Sequence, residues 1–320
     1  MSLRLQQFDI LKGIGIILVM FGHALPQIGF AHNLIYGFHM PLFFFCSGVF
    51  FKEKPIVSGT IKDIQTLLVP WATFSCLLLI CSFVMKMMNK GLGPEINLMD
   101  ENCYVLYYTI WFLLCLFFCR LFYRIIQKIH SQSICSAICI GAYFMAYIFQ
   151  QSKLNIPFFF DSVFGMLLFY HLGHLFNHYN LTIKRIPMWA NILLLMIYVF
   201  FVYQTEPLVN IKNNIFPIHL IVLSVIPIIA LYQICCTISS RFLAYCGVAS
   251  LAILGLHHPL FDMAMIPLMN LIHLPMLVEK TLMVAITLII SLAVYRIMVA
   301  YTPFLLGKPY KSVECKKYTE

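Results

Sequence analysis

The 320-residue chain is 62% hydrophobic and only 10% charged, with a mean hydropathy of +0.89. A soluble domain carries nearer a quarter charged residues, so a water-solvated globule is excluded and lipid must bathe much of the surface. The formal net charge of +9 comes from scattered Lys and Arg rather than a basic run with interleaved aromatics, so no nucleic-acid partner is expected.

A hydrocarbon core about 30 Å thick needs roughly twenty apolar residues per helical crossing. On that scale the sequence predicts spans at 9–29, 34–51, 67–87, 104–124, 133–151, 157–177, 188–205, 214–236, 242–261 and 281–303. The apolar segment 262–275, broken by Pro267 and Pro275, reads as an extension or re-entrant piece of the ninth span. The expected fold is therefore an all-α integral membrane protein of about ten transmembrane helices. With the N-terminus inside, 16 of the 21 Lys and Arg residues fall on the cytoplasmic side, among them Lys12, Lys62, Arg120 and Arg124. That bias sets both termini in the cytoplasm. Residues 1–306 form the transmembrane domain and 307–320 a basic cytoplasmic tail.

The first apolar stretch is interrupted by Asp9 and Lys12, and no small-x-small cleavage site follows His23. It reads as a mature helix rather than a signal peptide. The twelve Cys residues show no metal-ligand spacing and read as small packing residues; only Cys103 is placed for an outward loop disulfide.

Ionisable groups within a bilayer are costly and mark candidate sites. Lys12 and His23 lie eleven residues apart, about 20° from the same helix face and about 16 Å along the axis. His supplies a general base near neutral pH; the alternative is a snorkelling Lys and an interfacial His. His39 opens the second span, and the short turn after His23 lets the two imidazoles approach at the outer leaflet. Asp161, early in the sixth span, could orient a His or favour the helix dipole. His171, His174 and His178 share a face, but no carboxylate or Cys accompanies them, so no metal site is expected. Ser250 and His257, a heptad apart, place polar groups toward a cavity or toward another helix. No Gly-x-Ser-x-Gly elbow surrounds Ser250.

Taken together, four segments resemble the membrane acyltransferase 3 family, the ten-helix O-acyltransferases of cell-surface sugars. They are Phe8-Asp9-Ile-Leu-Lys12 with its ten-residue gap to His23, and Phe38-His39-Met40-Pro41 running on to Ser47-Gly48. Leu67-Leu-Val-Pro70-Trp71 is the third, and Ser250 through His257 the fourth. Trp111, Asp161, Gly165 and Gly173 follow in familiar order. One departure stands out: the basic residues usual just before Leu67 are Gln65 and Thr66, leaving Lys62 as the nearest cation.

The resemblance implies transfer of an acyl group, usually acetyl, from cytoplasmic acyl-CoA to a hydroxyl of a surface or lipid-linked glycan. It implies a bacterial cytoplasmic membrane and no permanently bound cofactor or metal. Lys12 and Lys62 would meet the CoA phosphates, and His23 would act as general base or transient acyl carrier. His39 and Asp161 would assist His23, while Asp9, Trp111, Ser250 and His257 would contact substrate. A proton-coupled transporter or flippase of a glycan-related substrate, and a non-enzymatic envelope assembly protein, are the rival classes.

Overall fold

The computed structural model of the protein describes residues 3–26, 29–87, 110–152, 160–179, 186–204, 221–272 and 274–309. Among these residues the structure is helical, with no strand. In chain order the helices are α1 (Leu3–Ala24), α2 (Phe30–Tyr36), α3 (His39–Val49), α4 (Ile56–Asp63), α5 (Val69–Met87), α6 (Trp111–Ile126) and α7 (Gln132–Gln151). Then follow α8 (Phe160–His178), α9 (Met188–Gln204), α10 (Ile221–Cys235), α11 (Arg241–Val248), α12 (Ser250–Leu260), α13 (Ile266–Ile272) and α14 (Met276–Tyr301).

Five described stretches are long and apolar enough to cross a bilayer: Gln6–Ala24, Ile56–Val84, Gln132–Phe149, Ser250–Met269 and Met276–Tyr301. The helices Met188–Gln204 and Ile221–Cys235 are apolar but shorter. The outward faces explain the composition. Ile80 and Phe83 on α5, Met145 and Ile148 on α7, Phe200 on α9 and Ile289 on α14 are all exposed. Such a continuous apolar exterior is a lipid-facing surface.

Three predicted spans differ in detail. The second is two helices, because the chain turns at Gly37-Phe38 before His39 begins α3. The third starts earlier, at Ile56, and passes into α5 through a π-helical turn at Ile64–Leu68. The ninth breaks at Ala249, and its continuation is helical: a π-helical turn at Phe261–Met265 leads directly into α13. Pro259 and Pro267 do not stop that run, because the wider turn re-pairs the backbone groups they free. Residues 104–109 and 214–220, within the fourth and eighth predicted spans, lie outside the described residues, as does Cys103. The ten described cysteines are free, and seven of them are buried, as packing residues would be.

Two pairs of glycines set the closest helix contacts. A Cβ on Gly13 of α1 would collide with the backbone of α11 at Leu243, and one on Gly247 with the backbone at Asp9. Gly48 of α3 and Gly173 of α8 meet in the same reciprocal way, through Tyr170 and Phe45. Apolar burial gives no drive between helices in lipid, so small residues that let backbones touch are what hold such pairs. Further along, α12 continues beside α1 in the same direction, which brings His257 and His258 level with His23.

Candidate active site

At one end of the bundle the cations are held in place by carboxylates. Lys12 Nζ lies 2.7 Å from the Asp9 carboxylate, one helical turn earlier. Asp63 at the end of α4 accepts from two arginines of α6: Arg120 at 3.0 Å and Arg124 at 2.5 Å. Two guanidiniums on one carboxylate leave a surplus positive charge. Arg120 also donates to the Ser47 hydroxyl from Nε at 3.2 Å and Nη2 at 2.9 Å, which fixes the plane of its fork. Gly59 has no side chain because the Arg124 guanidinium occupies that space.

Between these groups opens a cavity of about 200 Å³ whose polar lining is Lys12, Ser47, Arg120 and Ser250. The rest of its wall is apolar, including Ile16, Val19 and Leu254. Val19 and Leu254 each lie one helical turn short of a histidine: His23 on α1, His257 and His258 on α12.

The histidine end gathers five imidazoles, three of them in contact with one tyrosine. Tyr36 Oη lies 3.2 Å from His23 Nδ1. The Tyr36 ring stacks on His32 at 3.8 Å and meets His39 edge-on at 4.6 Å. His23 lies 4.6 Å from His258 and 5.2 Å from His257, centroid to centroid. Two tautomers follow from the partners. His39 Nδ1 faces the Ile35 carbonyl at 3.0 Å, and His257 Nδ1 faces those of Ile253 and Leu254 at 3.1 and 2.8 Å. A carbonyl only accepts, so both Nδ1 atoms carry hydrogen and both Nε2 atoms keep a lone pair.

The sequence-predicted residues divide accordingly. His23 and His39 come together as expected, bridged by Tyr36, and His257 joins them. Lys12, paired with Asp9, and Ser250 both line the cavity. Trp111 begins α6 and packs on the core beside Phe112, which lines the cavity. Asp161 is buried in the first turn of α8, within electrostatic reach of Cys115 on α6, whereas the histidine cluster is built by α1, α2, α3 and α12. Lys62 is exposed on α4 and is not part of the cavity wall. It crowds Lys54 in the preceding loop, and this repulsion holds the Lys54 ammonium below its ordinary range.

His171 and His174 form a separate polar knot. Their Nδ1 atoms lie 2.8 and 2.7 Å from the Tyr123 hydroxyl, Gln127 donates to the same oxygen at 3.0 Å, and Ser136 Oγ meets His171 Nε2 at 2.7 Å. This network is internally satisfied and structural.

Sequence reasoning passed over His32, Tyr36, His258 and Arg120. The motif His257-His258-Pro259 carried a signal for His258, and Tyr36 lies one turn before His39. Arg120 counted only toward the cytoplasmic charge bias, yet within α6 it reaches Asp63 and the cavity.

The fold and the site thus describe an integral membrane protein with a cavity between anchored cations and a neighbouring histidine cluster. A family model described as an acyltransferase domain matches residues 5–296. The chain belongs to the acyltransferase 3 family, a family of membrane acyltransferases. No curated protein and no solved structure matches it significantly.

Proposed function

We propose that the chain is an O-acyltransferase that takes an acyl group, in the first instance acetyl, from cytoplasmic acyl-CoA. The acceptor is a hydroxyl of a cell-surface or lipid-linked glycan, and the setting is a bacterial cytoplasmic membrane. On this reading the helices make ten spans with both termini cytoplasmic.

The observation that carries the reading is a cavity with cations at one end and imidazoles just past the other. Lys12 and Arg120 meet the donor's phosphates, for which an anchored guanidinium fork is well suited. The apolar wall takes the extended arm of the donor, with the Ser250 hydroxyl available to its amides. The thioester then lies near His23. The acceptor hydroxyl gives its proton to an imidazole of the cluster, and its oxygen forms a C–O bond to the acyl carbon. The C–S bond breaks, and the departing CoA thiolate takes up a proton. His39 is suited to the proton transfer, since its Nδ1–H is held by Ile35 and its Nε2 keeps a lone pair.

The test is transfer of radiolabel from acetyl-CoA into glycan by membranes carrying wild type or His23→Ala at matched expression. Label with wild type and none with His23→Ala is expected. Equal label in both would remove His23 from the chemistry. Movement of the glycan across the membrane without label would instead support the transporter reading.

A further inference from the structure

We propose that His23, His257 and His258 form a binding site for one divalent transition-metal ion, with zinc the best match. This inference rests on the acyl-transfer reading only for what the ion would do, not for its binding. One ring nitrogen from each of the three histidines lies within 4.8 Å of the other two. An ion bonded to three imidazoles at about 2.0–2.1 Å in tetrahedral array holds them roughly 3.4 Å apart. The closure needed is about 1.4 Å at most, which side-chain rotation supplies.

The outer contacts of the three rings point the same way. His257 is fully buried and its Nδ1–H is clamped by two carbonyls of its own helix, while its Nε2 has no hydrogen-bond partner among the described residues. His23 is engaged from its Nδ1 side by the Tyr36 hydroxyl. The Nδ1 of His258 faces the Asp262 carboxylate at 4.0 Å, one turn along the helix. His257 and His23 are thus engaged through Nδ1 by carbonyls and a hydroxyl, which turns the Nε2 side of each toward a ligand. Metal-bound histidines are held by outer partners of this kind.

Three neutral imidazoles and no thiolate suit zinc better than calcium or magnesium. Three protein ligands also leave a fourth position open, as in catalytic rather than structural sites. In the acyltransferase that position would receive the acceptor hydroxyl and ease loss of its proton. The sequence carries no metal-spacing signature, because His23 comes from the opposite end of the chain to His257 and His258.

The test is metal analysis of the full-length protein purified in detergent, with cobalt(II) substitution as a second readout. About one zinc per folded chain and the visible absorption of four-coordinate cobalt are expected. His257→Gln and His258→Gln should each weaken binding more than tenfold, whereas His171→Gln, in the satisfied knot, should retain the ion. Size-exclusion profiles identify any variant that fails to fold. Wild type without zinc or a cobalt spectrum, and with label transfer that survives chelation, would overturn the site and leave the acyl-transfer reading intact. Bound metal with no transfer from any acyl donor would uphold the site and count against the enzyme.

Discussion

The phenolic oxygen of Tyr36 lies 3.2 Å from His23 Nδ1, and its ring is shared between His32 and His39. One side chain therefore sets the orientation of the central imidazole and joins α1 to α2 and α3. Tyr36→Phe keeps the ring contacts and deletes only the hydroxyl. A hydrogen bond of this kind contributes about 0.5–1.5 kcal/mol, so kcat should fall up to about tenfold with KM for acyl-CoA unchanged. An unaltered kcat would show that the hydroxyl does not orient His23.

Arg120 should matter to the donor and Lys62 should not. Arg120→Gln removes a fixed cation from the cavity wall while Arg124 still pairs with Asp63. Hydrogen bonds to charged groups are worth about 1.5–3 kcal/mol, so KM for acyl-CoA should rise about ten- to a hundredfold, with little change in kcat. Lys62→Ala, at an exposed position, should leave KM where it was. Steady-state kinetics with varied donor checks both, and the reverse pattern would return the donor contact to Lys62.

The glycine crossings give a stability prediction. Gly13→Ala and Gly48→Ala each force two helices apart and should cost about 1–3 kcal/mol, read as a lower Tm in detergent. Gly141→Ala is the control, because a Cβ there meets nothing within 4 Å. It should be neutral or stabilise by up to about 1 kcal/mol through helix propensity. Equal Tm values for all three would mean that the crossings are not close in the folded protein.

Tyr123→Phe tests the structural knot. The variant leaves His171, His174 and Gln127 without their common partner, an expected loss of about 1–3 kcal/mol. Activity per folded molecule should stay at the wild-type level. A changed kcat would draw this cluster into the chemistry.

The five membrane-length apolar helices were legible because hydropathy is a local property. Their interruptions were not. The break at Ala249 and the turn at Gly37-Phe38 fall inside uniformly apolar sequence, where nothing marks a change of direction. Lys12 and His23 could be paired from helical phase alone, since both belong to α1. His23 and His258 could not, because 234 intervening residues decide whether α12 lies beside α1. Gly13 and Gly247 make that approach possible, yet a lone glycine in a helix does not name its partner. Arg120 was hidden for another reason. Basic residues near span ends count first as topology, and only its shared carboxylate, Asp63, reveals an anchored group. Asp161 stands buried in the first turn of α8, and only the packing of that helix, which sequence does not give, decides what it faces.

Lys12 and His23 stand on one unbroken helix, and the Gly13–Gly247 contact locks that helix to α11, the helix just before the one carrying His258. The distance from anchoring charge to reacting group is therefore a ruler with no joint in it. Residues along the cavity can change which acyl chain fits without altering the ruler, so selectivity and catalysis can evolve separately. A single residue inserted between Gly13 and His23 would swing the imidazole by about 100°, a change of phase that no local rearrangement could restore.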